Sequence, residues 1–198
     1  LKNNLEKIIS KDYTHIVHLA ALLGVQNVIE NSHNILKYNC QLTESALQIA
    51  LVQSKLEQFV FASTSEVYAG TLEMGDLKIP TPENSNIILP SFEKPRTTYM
   101  LSKIYGETSV IQSGLPYIII RPHNIYGPNM GLKHVIPQLL QKAYLSRNGY
   151  LEVYSCDHTR TFCFIEDAVN MIFLLMNTKK VVNNTFNIGN EKPGIKIR

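Results

Sequence analysis

Short, continuous apolar runs alternate with amphipathic stretches along most of the chain. The runs at 14–19, 58–63 and 117–120 contain little polar alternation, which is typical of parallel strands buried on both faces. Apolar residues elsewhere recur at helical spacing. The predicted helices span 1–10, 34–53, 99–112, 134–146 and 166–177, and two further strand-like segments lie at 150–154 and 185–188. This alternation favours an α/β fold built on a doubly wound parallel sheet.

A long connection is predicted over 70–98, between the second strand and the helix over 99–112. It contains Pro80, Pro82, Pro90 and Pro95. Long loops inside compact domains are uncommon and often carry function. The pattern therefore favours a functional role for this segment.

Composition narrows the possible partners. With 198 residues and 44% hydrophobic content, the chain can bury the core of one domain or somewhat more. The net charge is +3 and the basic residues are dispersed, so we expect no nucleic-acid partner. No apolar run approaches the roughly 18 residues of a membrane span, and no membrane partner is expected. Three cysteines and six histidines lack metal-ligand spacing, which favours a reducing cytoplasm and predicts no metal site.

Tyr99 and Lys103 are the strongest candidates for chemistry. One helical turn separates them, so both lie on one face of the predicted helix. A nearby ammonium favours the phenolate, and a tyrosine with an ordinary pKa of about 10 needs such help to act as a base near neutral pH. Thr64, at the end of a neighbouring predicted strand, offers a hydroxyl to the substrate oxygen that loses its proton. The set suits deprotonation of an alcohol while a hydride leaves its carbon, although a packed Tyr99 beside a solvated Lys103 would give the same spacing.

Five motif blocks occur in an order that carries a family resemblance. They are His18-Leu19-Ala20-Ala21, Ser63-Thr64-Ser65-Glu66-Val67-Tyr68, the Tyr99/Lys103 pair, Arg121-Pro122-His123-Asn124-Ile125-Tyr126-Gly127-Pro128 and Arg160-Thr161-Phe162. The chain resembles the extended short-chain dehydrogenase/reductase family, in its nucleotide-sugar epimerase/dehydratase/decarboxylase branch. The resemblance implies a Rossmann-like sheet with a smaller C-terminal substrate lobe. It divides the chain into a partial NAD-binding domain over 1–128 and a partial substrate lobe over 129–198, with interleaved strands.

The same resemblance implies NAD as cofactor and a nucleotide-diphosphate sugar as substrate. The implied catalytic residues are Thr64, Tyr99 as acid/base, Lys103, which would lower the pKa of Tyr99, and Glu66. The implied cofactor-binding residues are Ala20, Ala21, Asn39, Ser63, Tyr99, Lys103, Pro122 and His123. The implied substrate-binding residues are Ser65, Asn124, Val135, Tyr154 and Arg160. Asn39 as a satisfied buried amide and Pro122 as a simple end of a strand are competing interpretations.

Glu66 bears on which reaction follows oxidation of the sugar at C4. In the branch that the chain resembles, the 4-keto sugar is re-reduced on its other face, loses water across C5 and C6, or loses CO₂. The dehydratases of this branch carry Asp-Glu after the catalytic Thr, whereas this chain has Ser65-Glu66. The acid at the first of these positions is therefore absent, which argues against dehydration. We expect a UDP-sugar epimerase, with UDP-glucuronate decarboxylase and 4,6-dehydratase as alternatives. An ordinary reductase and a non-catalytic NAD-binding relative are competing classes.

The glycine-rich phosphate fingerprint of the resembling family does not occur among the 10 glycines. Those glycines let the backbone approach a pyrophosphate at a helix N-terminus, so other residues replace them poorly. We therefore expect an internal portion of a longer protein, in which the first βαβ unit precedes this sequence. The resemblance also implies a homodimer paired through the helices that begin near Asn34 and Tyr99.

Overall fold

A computed structural model of the chain describes residues 8, 12–146, 149–151, 153, 157, 159–191 and 194–196. The strands are β1 (His15–His18), β2 (Gln58–Ala62), β3 (Tyr117–Pro122), β4 (Ile125–Tyr126), β5 (Thr159–Arg160), β6 (Cys163–Phe164), β7 (Asn184–Ile188) and β8 (Ile195–Lys196). The helices are α1 (Val25–Glu30), α2 (Ser32–Leu51), α3 (Ala69–Glu73), α4 (Pro95–Gln112), α5 (Val135–Leu145) and α6 (Ile165–Met176). Two 3₁₀ turns span Ser65–Tyr68 and Lys179–Val181.

The central sheet has four parallel strands in the order β1-β2-β3-β7. In its register, Phe61 lies opposite His18 on one side and Ile119 on the other. Two small pairs, parallel β4/β6 and antiparallel β5/β8, stand apart from this sheet. The parallel sheet with long crossovers confirms the predicted fold class, and it brings the carboxyl ends of β1, β2 and β3 to one edge.

The two faces of the sheet build two apolar cores, because successive side chains of a strand point to opposite faces. One core contains Leu47, Ala50, Phe59, Phe61, Val110 and Ile119, so α2 and α4 cover that face. The other contains Val60, Ile118, Ile120, Cys163, Ala168 and Ile188, so α6 covers the opposite face. Helices on both faces explain why the strand sequences are almost continuously apolar.

Several element boundaries differ from the sequence predictions. Strand β1 was expected to be buried on both faces, but it lies at an edge of the described sheet and Val17 is 40% exposed. Helix α4 begins at Pro95, because proline is well suited to the first helical turn. The short helices α1 and α3 were not predicted.

Other predictions fall partly or wholly on residues outside the described part. Of the helix predicted over 1–10, Ile8 alone lies within the described residues. In the strand predicted over 150–154, the described residues Tyr150, Leu151 and Val153 are not in a strand. None of the described helices combines the length and apolar content that a membrane crossing requires.

Candidate active site

Thr64, Tyr99 and Lys103 meet where β2 ends against α4. Thr64 caps the 3₁₀ turn that follows β2, and its Oγ1 accepts a hydrogen bond from the Glu66 amide at 3.2 Å. The Thr64 hydroxyl lies within hydrogen-bonding reach of the Tyr99 hydroxyl, and this interaction favours the phenolate. The structure therefore assembles the three residues whose chemistry was predicted from the sequence.

Lys103 is buried in this cluster and fixed by its surroundings. Its Nζ donates a hydrogen bond to the Ala62 carbonyl at 2.6 Å. The same atom lies 5.2 Å from the centre of the Phe61 ring and 5.9 Å from that of Tyr99. Gly106 lets α4 come this close to β2, since a Cβ on it would lie 2.2 Å from Cζ of Phe61. The ammonium is thus held beside Tyr99 by the backbone end of β2.

The pKa of Tyr99 is raised to about 12, in contrast to the sequence expectation that Lys103 lowers it. Burial is the main cause and the charge of Glu66 adds to it, while the hydrogen bond from Thr64 acts in the opposite direction. Lys103 does not contribute to this shift, because a lysine with a pKa of about 8 is already neutral at the pH where a phenol with a pKa of about 12 titrates. Burial also lowers the pKa of Lys103 to about 8, against the opposing charge of Glu107.

His18 lies at the carboxyl end of β1, next to this cluster. Its ring packs 5.7 Å from that of Phe61. Burial, together with the positive charge of Lys103, lowers the pKa of His18 to about 4. The imidazole is therefore neutral at physiological pH, and it packs against Phe61 at the end of β1.

The loop after β1 carries the small residues predicted to lie against a cofactor. Ala20 is exposed and Ala21 is half-buried, so neither is occupied by core packing. Asn39 of α2 accepts a hydrogen bond from the Leu22 amide at 2.7 Å and donates to the Leu22 carbonyl at 3.0 Å. It also donates to Ser102 Oγ at 3.3 Å. Asn39, predicted to bind cofactor, fixes the backbone of this loop with its side-chain amide.

A buried polar network behind the cluster was not predicted from the sequence. Arg121 of β3 donates to Glu107 of α4 through Nε at 2.8 Å and through Nη2 at 2.6 Å. The hydroxyl of Ser63 donates to Glu107 Oε1 at 2.5 Å. Ser63, predicted to bind cofactor, joins this network through its hydroxyl. Residue spacing could have indicated a role for Glu107, because it lies one turn beyond Lys103 on the same helix face.

The same arginine anchors the long connection between α3 and α4. Its Nη1 donates to the Tyr68 hydroxyl at 2.5 Å and to the Glu83 carbonyl at 2.9 Å. Asn187 of β7 accepts from Tyr68 at 3.0 Å and donates to the Thr81 carbonyl at 2.8 Å. The connection is thereby tied to the carboxyl edge of the sheet, next to the candidate site.

Ser65, His123, Asn124 and Arg160 form a second group at this edge. Asn124 Nδ2 lies 3.1 Å from His123 Nε2 and also donates to the Thr161 carbonyl at 2.9 Å. An amide nitrogen only donates, so Nε2 accepts and Nδ1 of the neutral ring donates to Ser65 Oγ at 2.9 Å. Burial and the charge of nearby Arg160 lower the pKa of His123. His123, predicted to bind cofactor, therefore joins two predicted substrate-binding residues.

Glu66 lies at the solvent-exposed rim of the site. Its Oε1 pairs with Arg96 Nη2 at 2.7 Å, and both side chains are partly exposed. Its charge acts on Tyr99 and raises the pKa of the phenol. An ion-paired carboxylate beside the acid/base residue is compatible with either a positioning or a catalytic role.

The remaining predicted site residues lie farther along the chain. Val135 begins α5, beside an open cleft of about 730 Å³ between α1 and α5. The cleft is lined by Leu23, Gly24, Gln26, Asn27, Glu30, Lys133, His134 and Gln138. Pro122 ends β3, and Tyr154 lies outside the described residues. Within the described part of the chain, no three acidic, histidine or cysteine side chains are grouped as metal ligands.

The residues present fit the nicotinamide end of a dinucleotide. The carboxyl ends of β1, β2 and β3 form the kind of crevice in which open α/β sheets bind nucleotides. Accessible Ala20 and half-buried Ala21 lie at one side of it, with Lys103 at the centre and Pro122 at the other. A small, open backbone edge with one buried cation suits a flat ring and a ribose.

Comparisons with known proteins agree on one protein family. Residues 2–189 match the model of the NAD dependent epimerase/dehydratase family. Over 196 residues the chain is 33% identical to a UDP-N-acetyl-alpha-D-glucosaminuronate decarboxylase of Bacillus cytotoxicus, covering 96% of this chain and 58% of that protein. It is 32% identical to a dTDP-D-glucose 4,6-dehydratase of Dictyostelium discoideum, covering 94% and 44%. The chain thus spans about half the length of these relatives.

Solved structures share the fold. UDP-glucose 4-epimerase of Thermotoga maritima aligns with a TM-score of 0.81 at 22% identity, covering 99% of this chain and 62% of that one. At this identity the likeness concerns the fold, and it confirms the predicted Rossmann-like architecture.

Proposed function

Because the chain belongs to the NAD-dependent epimerase/dehydratase family, we propose that the protein oxidises a nucleotide-diphosphate sugar at C4 and re-reduces it, as a UDP-sugar epimerase. The observation that carries this proposal is the assembly of Thr64, Tyr99 and Lys103 at the end of β2. When bound, NAD⁺ supplies a hydride acceptor and a positive charge to this edge of the sheet. The protein's own side chains hold the sugar and move the proton.

Tyr99 accepts the proton of the sugar C4 hydroxyl in this scheme. Thr64 donates a hydrogen bond to the Tyr99 oxygen, which favours the phenolate over the phenol. Lys103 contributes its positive charge from beside the ring and is placed to contact a ribose. With a pKa of about 12, Tyr99 is protonated at neutral pH and cannot accept a proton, so the reaction requires additional positive charge near Tyr99 to favour the phenolate.

The sugar diphosphate is proposed to bind across the group formed by Ser65, His123, Asn124 and Arg160. Asn124 and Arg160 offer an amide and a guanidinium, which suit phosphate oxygens. His123 fixes the orientation of Ser65, whose hydroxyl hydrogen remains available to the sugar. Val135 and Tyr154 are proposed to contact the nucleotide, as the family resemblance implies.

Decarboxylation is the second candidate reaction. Arg160 lies close enough to His123 to lower its pKa, so a positive charge is available near the sugar for a C6 carboxylate. The relative from Bacillus cytotoxicus is a decarboxylase by name, which supports the same alternative. A 4-keto sugar with a carboxylate on C5 is a β-keto acid and loses CO₂ readily, with the same residues performing the first step.

The test is proton NMR of UDP-glucuronate, and then of UDP-glucose, with NAD⁺ and the complete protein. Inversion at C4 with all carbons retained supports the epimerase, whereas a pentose with released CO₂ assigns the protein to the decarboxylases. The Tyr99→Phe variant keeps the ring and removes the acid/base, so we expect its rate to fall by about 10²–10⁴-fold. Net accumulation of NADH with a simple alcohol, or equal rates for Tyr99→Phe and wild type, would overturn the proposal.

We also propose that the protein is a homodimer paired through α2 and α4. Apolar side chains on the outer faces of these helices are exposed, including Tyr38 and Leu42 of α2 and Tyr105 and Ile111 of α4. Light scattering of the complete protein measures the mass directly. A monomer at micromolar concentration would contradict this assignment.

A further inference from the structure

Helix α4 presents three polar residues at four-residue spacing to the end of β2. Tyr99 shares a hydrogen bond with Thr64, Lys103 donates to the Ala62 carbonyl at 2.6 Å, and Glu107 accepts from Ser63 at 2.5 Å. The first two of these contacts belong to the proposed reaction. The third joins the same helix face to the residue that directly precedes Thr64.

Glu107 is held rigidly from the other side. The guanidinium of Arg121 makes two hydrogen bonds to its carboxylate, and both side chains are 6% exposed. Arg121 is itself fixed by the Tyr68 hydroxyl and lies 5.0 Å over the Tyr68 ring. A bidentate, buried pair of this kind keeps the carboxylate in one orientation.

Stability alone does not account for this arrangement. Replacing a buried ion pair by apolar residues of similar volume is often neutral or stabilising, because taking both charges out of water is costly. A buried pair placed next to an acid/base cluster therefore calls for a further role. Its location indicates one, since Glu107 is one helical turn from Lys103 and directly bonded to Ser63.

We propose that Glu107 is a positioning residue for the acid/base pair: it fixes Ser63, and with it Thr64, against Tyr99, and it places a negative charge one helical turn from the Lys103 ammonium. Arg121 holds the Glu107 carboxylate in place for both tasks. This inference rests on the proposed function, because it assigns a role to Glu107 in that same site.

The charges around Lys103 support the second task. Tyr99 and Glu107 face it from α4, His18 faces it from β1, and Arg121 lies behind Glu107 on β3. His18 is neutral at physiological pH and Tyr99 is protonated. Burial lowers the pKa of Lys103 and Glu107 raises it, so loss of the carboxylate leaves burial unopposed. Lys103 then releases its proton at a lower pH.

The test is Glu107→Gln in the complete protein, which keeps the side-chain shape and an oxygen that accepts from Ser63. The primary readout is the titration midpoint of Lys103, followed by NMR of ¹³C-labelled lysine side chains and assigned with Lys103→Arg. We expect the midpoint to fall by about one pH unit. The alkaline limb of kcat should move to lower pH by the same amount, with little change in KM. Glu73→Gln is the matched control, because it removes an exposed carboxylate paired with Lys94 at 2.8 Å and should shift neither quantity.

Glu107→Gln leaves Arg121 without its partner, and the variant can lose stability for that reason alone. The double variant Glu107→Gln/Arg121→Met removes both charges, and it should fold and still show the lower Lys103 midpoint. A Lys103 midpoint unchanged in the folded variants would overturn the proposal, and so would a loss of kcat at all pH values without a shift of the alkaline limb. The NMR titration needs no substrate, so it distinguishes an error about Glu107 from an error about the proposed reaction.

Discussion

Gly106→Ala tests whether the close approach of α4 to β2 is required. A methyl group at this position would lie 2.2 Å from Cζ of Phe61 and 2.9 and 3.0 Å from the two adjacent ring carbons. Phe61 is completely buried in the core formed with α2 and α4, so its ring has little room to move. The helix must therefore move away from the strand, or the ring must leave its rotamer.

The cost follows from the size of that displacement. Ordinary carbon contacts lie at about 3.5–4.0 Å, so the gap must widen by roughly 1.5 Å. Overpacking of a filled core costs about 1–3 kcal/mol, and the upper end applies here because the ring is enclosed. Alanine recovers about 1 kcal/mol of helix propensity over glycine. We expect a net loss of about 2 kcal/mol in the free energy of unfolding.

The same displacement acts on the candidate site. Lys103 Nζ lies over the Phe61 ring and donates to the Ala62 carbonyl at 2.6 Å, so a shift of α4 lengthens that bond. A misplacement of about 1 Å can lower turnover about 10²-fold, and we expect a loss of kcat of that order.

Urea denaturation of the complete protein and steady-state turnover measure the two effects. Gly131→Ala is the matched control, because its Cβ would meet nothing closer than 3.6 Å and both quantities should stay near the wild-type values. In a double-mutant cycle, Phe61→Leu should reduce the cost of Gly106→Ala, since it removes the colliding ring. If Gly106→Ala is as stable and as active as Gly131→Ala, the reasoning is wrong.

Three further outcomes are expected. Glu66→Gln removes a charge that raises the pKa of Tyr99, so the midpoint of the Tyr99 phenolate, followed by ultraviolet difference absorbance, should fall; an unchanged midpoint would exclude this coupling. Asn39→Ala removes both hydrogen bonds to the Leu22 backbone, so hydrogen exchange at the Leu22 amide should accelerate without global unfolding. An unchanged exchange rate would show that Asn39 does not fix this loop. The folded-state pKa of His18 lies near 4, below its ordinary 6.5, so the unfolded state binds its proton first and stability is lost as pH falls from 6.5 to 4. His18→Phe should reduce this pH-dependent loss in the free energy of unfolding. An identical dependence of stability on pH in the variant and the wild type would contradict the argument.

The strands and the main helices were predictable because their signals are local. The apolar runs at 58–63 and 117–120 became β2 and β3, since strands covered on both faces need few polar residues. The spacing of Tyr99 and Lys103 placed both on one face of α4, which the structure confirms. Short helices carry weaker signals, and α1 and α3 were missed for that reason.

The properties of the site that were not predicted depend on contacts between distant parts of the chain. Arg121 and Glu107 are 14 residues apart, and nothing local indicates that β3 and α4 join them. The direction of the Tyr99 pKa shift depends on how deeply the phenol is buried and on the nearby charge of Glu66. Only the packed structure decides these two points.

The packing of α4 on β2 is at once part of the core and the framework of the site. Phe61 belongs to the core on the α2/α4 face, and its ring also packs against the Lys103 ammonium. Distance and charge are nevertheless separable in this contact. Gly106→Ala changes the distance and leaves every charge in place, whereas Glu107→Gln removes a charge and nearly preserves the shape. If the site depends on both distance and charge, Gly106→Ala should lower kcat without shifting the alkaline limb of its pH profile. Glu107→Gln should instead shift that limb to lower pH.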